Sequence, residues 1–199
     1  MQIVEPVATR IKPQSGKLVG ANGHYEKYIA ELDGCYADVA AFERLKAQRG
    51  GDIAYAVDQY SSSPAGHDLI FGTSTLEPGT VGDEFFMTRG HLHMKADRPE
   101  IYQGIAGRGV MLMETLDGRT AALELSPGVV VYVPPHWIHR SVNVGEDRLV
   151  TLFCYPADAG QDYEVIRTAG GMALLVVADG ASWKTIPNPR HKHRPAGQS

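Results

Sequence analysis

The sequence is short of the features that would set it apart from ordinary globular enzymes. Among 199 residues there are two cysteines, Cys35 and Cys154. That is too few for a disulfide framework, and both read as free, semi-buried thiols. No apolar run approaches the length of a bilayer span. Met1-Gln-Ile-Val-Glu5 lacks the charged start and apolar centre of a signal peptide. Together these absences make the cytoplasm the expected location and exclude a membrane partner. Cations are not in excess: 19 Lys and Arg stand against 23 Asp and Glu, for a net charge of -4. A general nucleic-acid or anionic-membrane binder would be basic. A small anionic substrate is still allowed, because a local cluster can work inside a mildly acidic chain. Helical periodicity is also scarce. Asp38 to Gln48 is the one convincing helix, with Asp38 as cap, Val39, Phe42 and Leu45 as an apolar stripe, and Gly50-Gly51 as the stop.

What the chain does have is 43% apolar residues, enough for one substantial core, arranged mostly in short runs between glycines and prolines. Ile53 to Val57 alternates, and Leu69 to Leu76 runs up to Pro78-Gly79. Val110–Thr115 and Thr120–Leu125 around Asp117-Gly118 form the clearest hairpin signal. Val129 to Val133 reads as a fully buried strand, and Leu149 to Tyr155 as another. The pattern predicts an all-β antiparallel sandwich or barrel. Residues 1–35, broken by Gly16, Gly20, Gly23 and Gly34, read as an arm of short strands and turns. Residues 170–183 are expected to add a final outer strand. The expected division is an arm and helix over 1–50, a barrel over 51–186 and a mobile basic tail over 187–199, one domain overall.

The chemistry centres on His91 and His93. In an extended strand, side chains two residues apart share a face, so both imidazoles can reach one metal ion. Glu100 would add an oxygen from the next piece of chain, and His139 would close the set from another strand. Three imidazoles and one carboxylate suit iron, zinc, manganese or nickel with open positions better than a closed structural zinc. Tyr102 lies two residues after Glu100 and is expected on the same inward face. A second copy of the spacing, His191 and His193, sits in the basic, Pro-rich tail and is expected to be solvated.

These residues also resemble the two cupin motifs: His91, His93, Glu100 and Gly107, then Gly128, Pro134, His139 and Asn143. His136 stands where the general pattern has glycine. Six residues separate His93 from Glu100, where most cupins have three or four, and this longer spacing resembles the cupin-type glucose-6-phosphate isomerases. So do the segments Glu84 to His91, Val131 to Trp137 and Tyr155 to Tyr163. The resemblance implies a double-stranded β-helix, or jelly roll, holding one divalent transition metal per subunit, with iron the first choice. It implies interconversion of glucose 6-phosphate and fructose 6-phosphate in glycolysis or gluconeogenesis, usually by a homodimer. Carried over by position, Ser74, Thr88, Gly90 and Tyr155 would hold the phosphate, and Tyr55, Tyr102 and Tyr163 would line the sugar end. Glu100 would be the base for an enediol proton transfer, with Tyr102 helping to stabilise the charge on oxygen. Gln161 departs from the family's histidine at that position. Lys95 and Arg98 either raise the potential at the mouth or are solvated loop charges. A cupin dioxygenase and a non-enzymatic sugar-binding cupin are the alternatives that the ligand set leaves open.

Overall fold

Antiparallel pairing governs nearly the whole chain. The computed structural model describes residues 3–63, 65 and 67–192. The chain opens with β1 (Arg10–Ile11), β2 (Leu18–Val19) and β3 (Gly23–Tyr28), then a 3-10 turn at Ile29–Leu32 and helix α1 (Val39–Arg49). Strands β4 (Ile53–Ser61), β5 (Leu69–Leu76), β6 (Thr80–Val81) and β7 (Glu84–Phe85) lead to the histidine segment. Beyond it come β8 (Glu100–Ala106), β9 (Gly109–Thr115), β10 (Thr120–Leu125), β11 (Val130–Val133), β12 (Trp137–Asn143) and β13 (Leu149–Pro156). Helix α2 (Glu164–Thr168) and the hairpin β14 (Leu174–Asp179) and β15 (Ser182–Pro187) complete the described elements.

The largest sheet runs β11-β8-β13-β5-β4-β3, and a second runs β10-β9-β12. A four-stranded sheet, β15-β14-β7-β6, flanks them. Inward residues of all three meet in one core, including Val57, Leu76 and Phe153 from the first, Met111, Met113 and Ile138 from the second, and Val176 from the third. The segment after β7 stitches the sheets together through bridges Met87 to Val142 and His91 to His139. This is an all-β cupin jelly roll, and its polar site lies between the two larger sheets.

The hairpin read at residues 110–125 forms as β9 and β10, with Thr120 opposite Glu114. Strand β9 is buried at all seven positions: β10 and β12 flank its edges and both of its faces are covered. Strand β11 differs from expectation. Val130 and Tyr132 are 59% and 55% exposed, while Val131 and Val133 are buried. This strand is a sheet edge with one covered face, so an all-apolar run alternates in burial. Helix α1 forms under its Asp38 cap, whose side chain accepts from the Ala41 N–H at 2.8 Å. Of its expected stripe, Phe42 and Leu45 pack on the core together with Ala41, whereas Val39 is exposed.

Three more differences concern the ends of the chain. The arm is not merely laid on the barrel: β3 is a full edge strand of the largest sheet, paired with β4. Residues 170–183 give parts of a hairpin rather than one strand, preceded by the short helix α2. The tail expected to be mobile from residue 187 stays bonded to the body as far as Lys192. Asn188 is buried and donates to Gly170 and Met172 carbonyls. Arg190 reaches the Tyr36 carbonyl at 2.8 Å, and the Lys192 N–H reaches Ala169. Polar hydrogen bonding holds this segment, which hydropathy does not register. His191 takes part through a 3.2 Å contact to the Gly171 carbonyl, whereas His193 lies outside the described residues. Among the described residues no helix is long and apolar enough to cross a membrane.

Candidate metal centre and pocket

The centre is assembled from both large sheets. Glu100 begins β8, His139 is the third residue of β12, and His91 and His93 follow β7. Neither His91 nor His93 lies in a regular strand. Instead, His91 forms an isolated bridge with His139, with N–H to carbonyl distances of 3.1 and 3.0 Å in the two directions. Gly90 makes this approach possible. Its φ is +71°, and a Cβ there would lie 2.8 Å from the Arg140 Cβ and 2.9 Å from the His139 carbonyl oxygen.

One ligand atom from each of His91, His93, Glu100 and His139 lies within 4.8 Å of the others, and all four residues are buried. The ring nitrogens have assigned roles. His93 Nδ1 sits 2.8 Å from the Arg98 carbonyl, and His139 Nδ1 sits 3.1 Å from the Trp137 carbonyl. A carbonyl only accepts, so each Nδ1 donates, and each neutral ring would present its Nε2 lone pair to a bound ion. Glu100 Oε2 is 2.9 Å from His139 Nε2 and 3.2 Å from His93 Nε2. The His91 and His93 Nε2 atoms are buried without a hydrogen-bond partner. Converging lone pairs around one carboxylate oxygen, with orphaned buried nitrogens, fit a divalent cation.

The electrostatics agree with that donor set. Burial pushes the Glu100 carboxyl up, but its close contacts with the His139 and His93 rings prevail and bring it down to about 2. Burial, reinforced by His139, holds His91 well below the usual imidazole value. Burial also lowers His93, yet its contact with Glu100 outweighs this and the net shift is upward. An ionised carboxylate and a neutral His91 are the forms a metal requires.

His91 and Glu100 face a pocket between the sheets, and every other residue expected at the substrate lines it: Tyr55, Ser74, Thr88, Gly90, Tyr102, Tyr155 and Tyr163. Thr88 Oγ1 also accepts the Ser141 N–H at 3.1 Å. The tyrosines stay phenols: burial raises Tyr55 and Tyr155, while burial and the Glu100 charge raise Tyr102 well above its usual value. They therefore act as hydroxyl donors at neutral pH.

Five further lining residues escaped the sequence reading: Tyr25, Val57, Gln59, Ser141 and Phe153. The two-residue period could have found four of them. Val57 and Gln59 follow Tyr55 along β4, Ser141 follows His139 along β12, and Phe153 precedes Tyr155 along β13. Tyr25 reaches the pocket from the edge strand β3, opposite Val57, and no local signal announces it. Arg89 was also missed. Its guanidinium lies 3.9 Å from the Tyr163 ring centroid and forms no ion pair among the described residues. Lys95 and Arg98 do not supply free charge at the mouth, because both are paired with Asp158.

Gln161 lines the pocket, and its Oε1 accepts a close hydrogen bond from the Tyr163 hydroxyl. An amide exchanges no proton, so this side chain orients and does not titrate. His136 is exposed and has a φ of +69°, with its N–H bonded to the Ala96 carbonyl at 2.6 Å. That conformation favours glycine, which accounts for glycine in the general motif. A larger groove runs beneath the arm, but its charged groups are largely paired locally, His24 with Asp58 and Arg148 with Glu77.

Comparison with known proteins agrees with this geometry. The family model described as glucose-6-phosphate isomerase matches residues 26–192. A glucose-6-phosphate isomerase of Sinorhizobium medicae (strain WSM419) is 45% identical over 196 residues, covering 98% of this chain and 92% of that protein. One from Thermococcus onnurineus (strain NA1) is 40% identical over 192 residues, covering 96% of this chain and all of the relative. Among solved structures, a Bacillus subtilis oxalate decarboxylase aligns with 53% of this chain and 26% of its own, at 25% identity and a TM-score of 0.44. With the family match extending over most of its length, the chain belongs to the cupin-type glucose-6-phosphate isomerase family.

Proposed function

We propose that this protein is a metal-dependent aldose–ketose isomerase interconverting glucose 6-phosphate and fructose 6-phosphate. The observation that carries the reading is a buried His₃Glu set at the floor of a pocket lined by hydroxyl donors. A divalent transition ion, iron by first choice and zinc, manganese or nickel otherwise, would be held by His91, His93, Glu100 and His139 and supply Lewis acidity toward the sugar's C1 and C2 oxygens. Ser74, Thr88, the Gly90 backbone and Tyr155 hold the phosphate through neutral donors. That remote binding fixes the reacting carbons against Glu100. Tyr55 and Tyr163 line the sugar end. Glu100, ionised in the folded protein, takes a proton from one carbon and returns it to the other through an enediol. Tyr102, buried beside it, donates to the oxygen on which charge develops.

A dioxygenase with an apolar substrate has no use for this ring of hydroxyls. The same reading makes the enzyme a cytoplasmic homodimer of glycolysis or gluconeogenesis. A coupled assay with fructose 6-phosphate, before and after chelation, tests it. Activity lost on chelation and regained with a divalent ion is expected, and turnover of free fructose as efficient as that of its 6-phosphate would overturn it. In heavy water the enediol route places deuterium on the transferred carbon. Full retention of the original hydrogen over many turnovers would show a hydride shift instead.

A further inference from the structure

The ligands are not anchored alike. His139 bonds its Nδ1 to a carbonyl of its own strand, and β12 is held along its length by the ladder to β9. His91 is fixed by its bridge to His139. His93 instead bonds to the carbonyl of Arg98, in a loop with no regular structure between the histidines and β8. Backbone bonds from Met94 to Gly160, from Arg98 to Lys95 and from His136 to Ala96 tie that loop, and the side chain that clamps it is Asp158. Its two oxygens take the Arg98 guanidinium in a paired grip, Nε to Oδ1 and Nη2 to Oδ2, each at 2.9 Å. Lys95 Nζ adds a 2.6 Å contact to the same carboxylate, and the Lys95 N–H bonds to the Ala159 carbonyl at 2.9 Å.

We infer that Asp158 is a positioning residue for the metal centre: through Arg98 it fixes the carbonyl that sets the tautomer and ring orientation of His93. It touches neither ion nor substrate. Partners that orient a ligand imidazole typically govern metal affinity by about 10- to 100-fold, whereas whatever this half-buried, bidentate ion pair contributes to folding is read in the melting temperature of the apo-protein. The two roles therefore separate experimentally. The inference rests on the metal reading proposed above.

The test titrates the full-length apo-protein with cobalt(II) against a competing chelator, recording affinity and the visible spectrum. Asp158→Ala, Asp158→Asn and Arg98→Lys are compared with wild type. Glu77→Gln serves as control, because it removes an ion pair with Arg148 that lines the other groove and not the metal site. Wild-type protein that binds no cobalt would overturn the metal reading itself, and this inference with it. With wild-type binding established, Asp158→Ala should bind about 10- to 100-fold more weakly with an altered spectrum. The two milder variants should fall between, and Glu77→Gln should match wild type. They also serve if the alanine variant does not fold. Unchanged affinity and spectrum in the Asp158 and Arg98 variants, a lowered apo-protein melting temperature alone, or an equal loss in Glu77→Gln would each overturn the assignment.

Discussion

The two ends of the pocket are built on different plans. At the metal end four side chains are 9% exposed or less, and two Nδ1 atoms are tied to carbonyls. At the other end the lining is a set of hydroxyls and two amides drawn from separate strands, ranging from buried Tyr55 and Ser74 to Tyr25 at 38% exposed. The first arrangement is preorganised, and removing any one member leaves buried polar groups without partners. The second is a sum of modest contacts, each of which water can replace. Damage at the metal end should therefore be nearly all-or-none, and damage at the end proposed to hold phosphate graded.

The largest expected effect breaks the metal end. His139→Ala should lose bound metal and activity together, as measured by metal content and the coupled assay. Glu100→Gln should lower kcat by roughly a hundredfold to ten-thousandfold even where it keeps its metal. High turnover in metal-loaded Glu100→Gln would remove that residue from the base role. Next comes the phosphate end. Thr88→Val should raise KM for fructose 6-phosphate on the order of tenfold, from about 1.5 kcal/mol for a hydrogen bond to a charged group, with metal content unchanged. A parallel loss of metal would show that the two ends are one unit.

A smaller effect is expected at Arg89, whose guanidinium lies over the ring of the pocket residue Tyr163. Arg89→Gln should lower kcat/KM by up to about tenfold at low ionic strength, and the difference should shrink as salt is added. The smallest concerns β3, the edge strand that brings Tyr25. Its His24 is raised above the usual imidazole value, chiefly by a hydrogen bond to Asp58. A raised folded value means that the stabilisation is fully present below about pH 6.5 and is lost as pH rises through the folded value. Thermal melts of wild type and His24→Gln should therefore differ most near pH 5.5 and converge near pH 9.

The same asymmetry decides what could be read from the amino-acid string. His91, His93, Glu100 and His139 stand out because few residue types ligate metals and their spacing is unusual, and the structure brings them together. Strands and the β9–β10 hairpin were legible from alternation and turn chemistry. The phosphate-end hydroxyls were nameable only through family resemblance, since serine, threonine and tyrosine serve many ordinary purposes. Tyr25 was out of reach because its place depends on β3 pairing at a sheet edge. The exposure of Val130 and Tyr132 depends in the same way on where β11 ends up. Asn188 and the Asp158 clamp are polar contacts between segments far apart in the chain, and hydropathy carries no record of them.

The bridge between His91 and His139 has a consequence for how the protein folds. Glu100 and His139, 39 residues apart, lie on different sheets, so the ligand set does not exist until those sheets have docked. Long-range pairing of this kind forms late and makes folding slow. An ion held by all four ligands would stabilise the native state alone, in proportion to how far its concentration exceeds the dissociation constant. Because its contacts are completed after the rate-limiting docking, it would act on the escape rate. The metal would lengthen the lifetime of the folded chain while leaving the speed of folding almost unchanged.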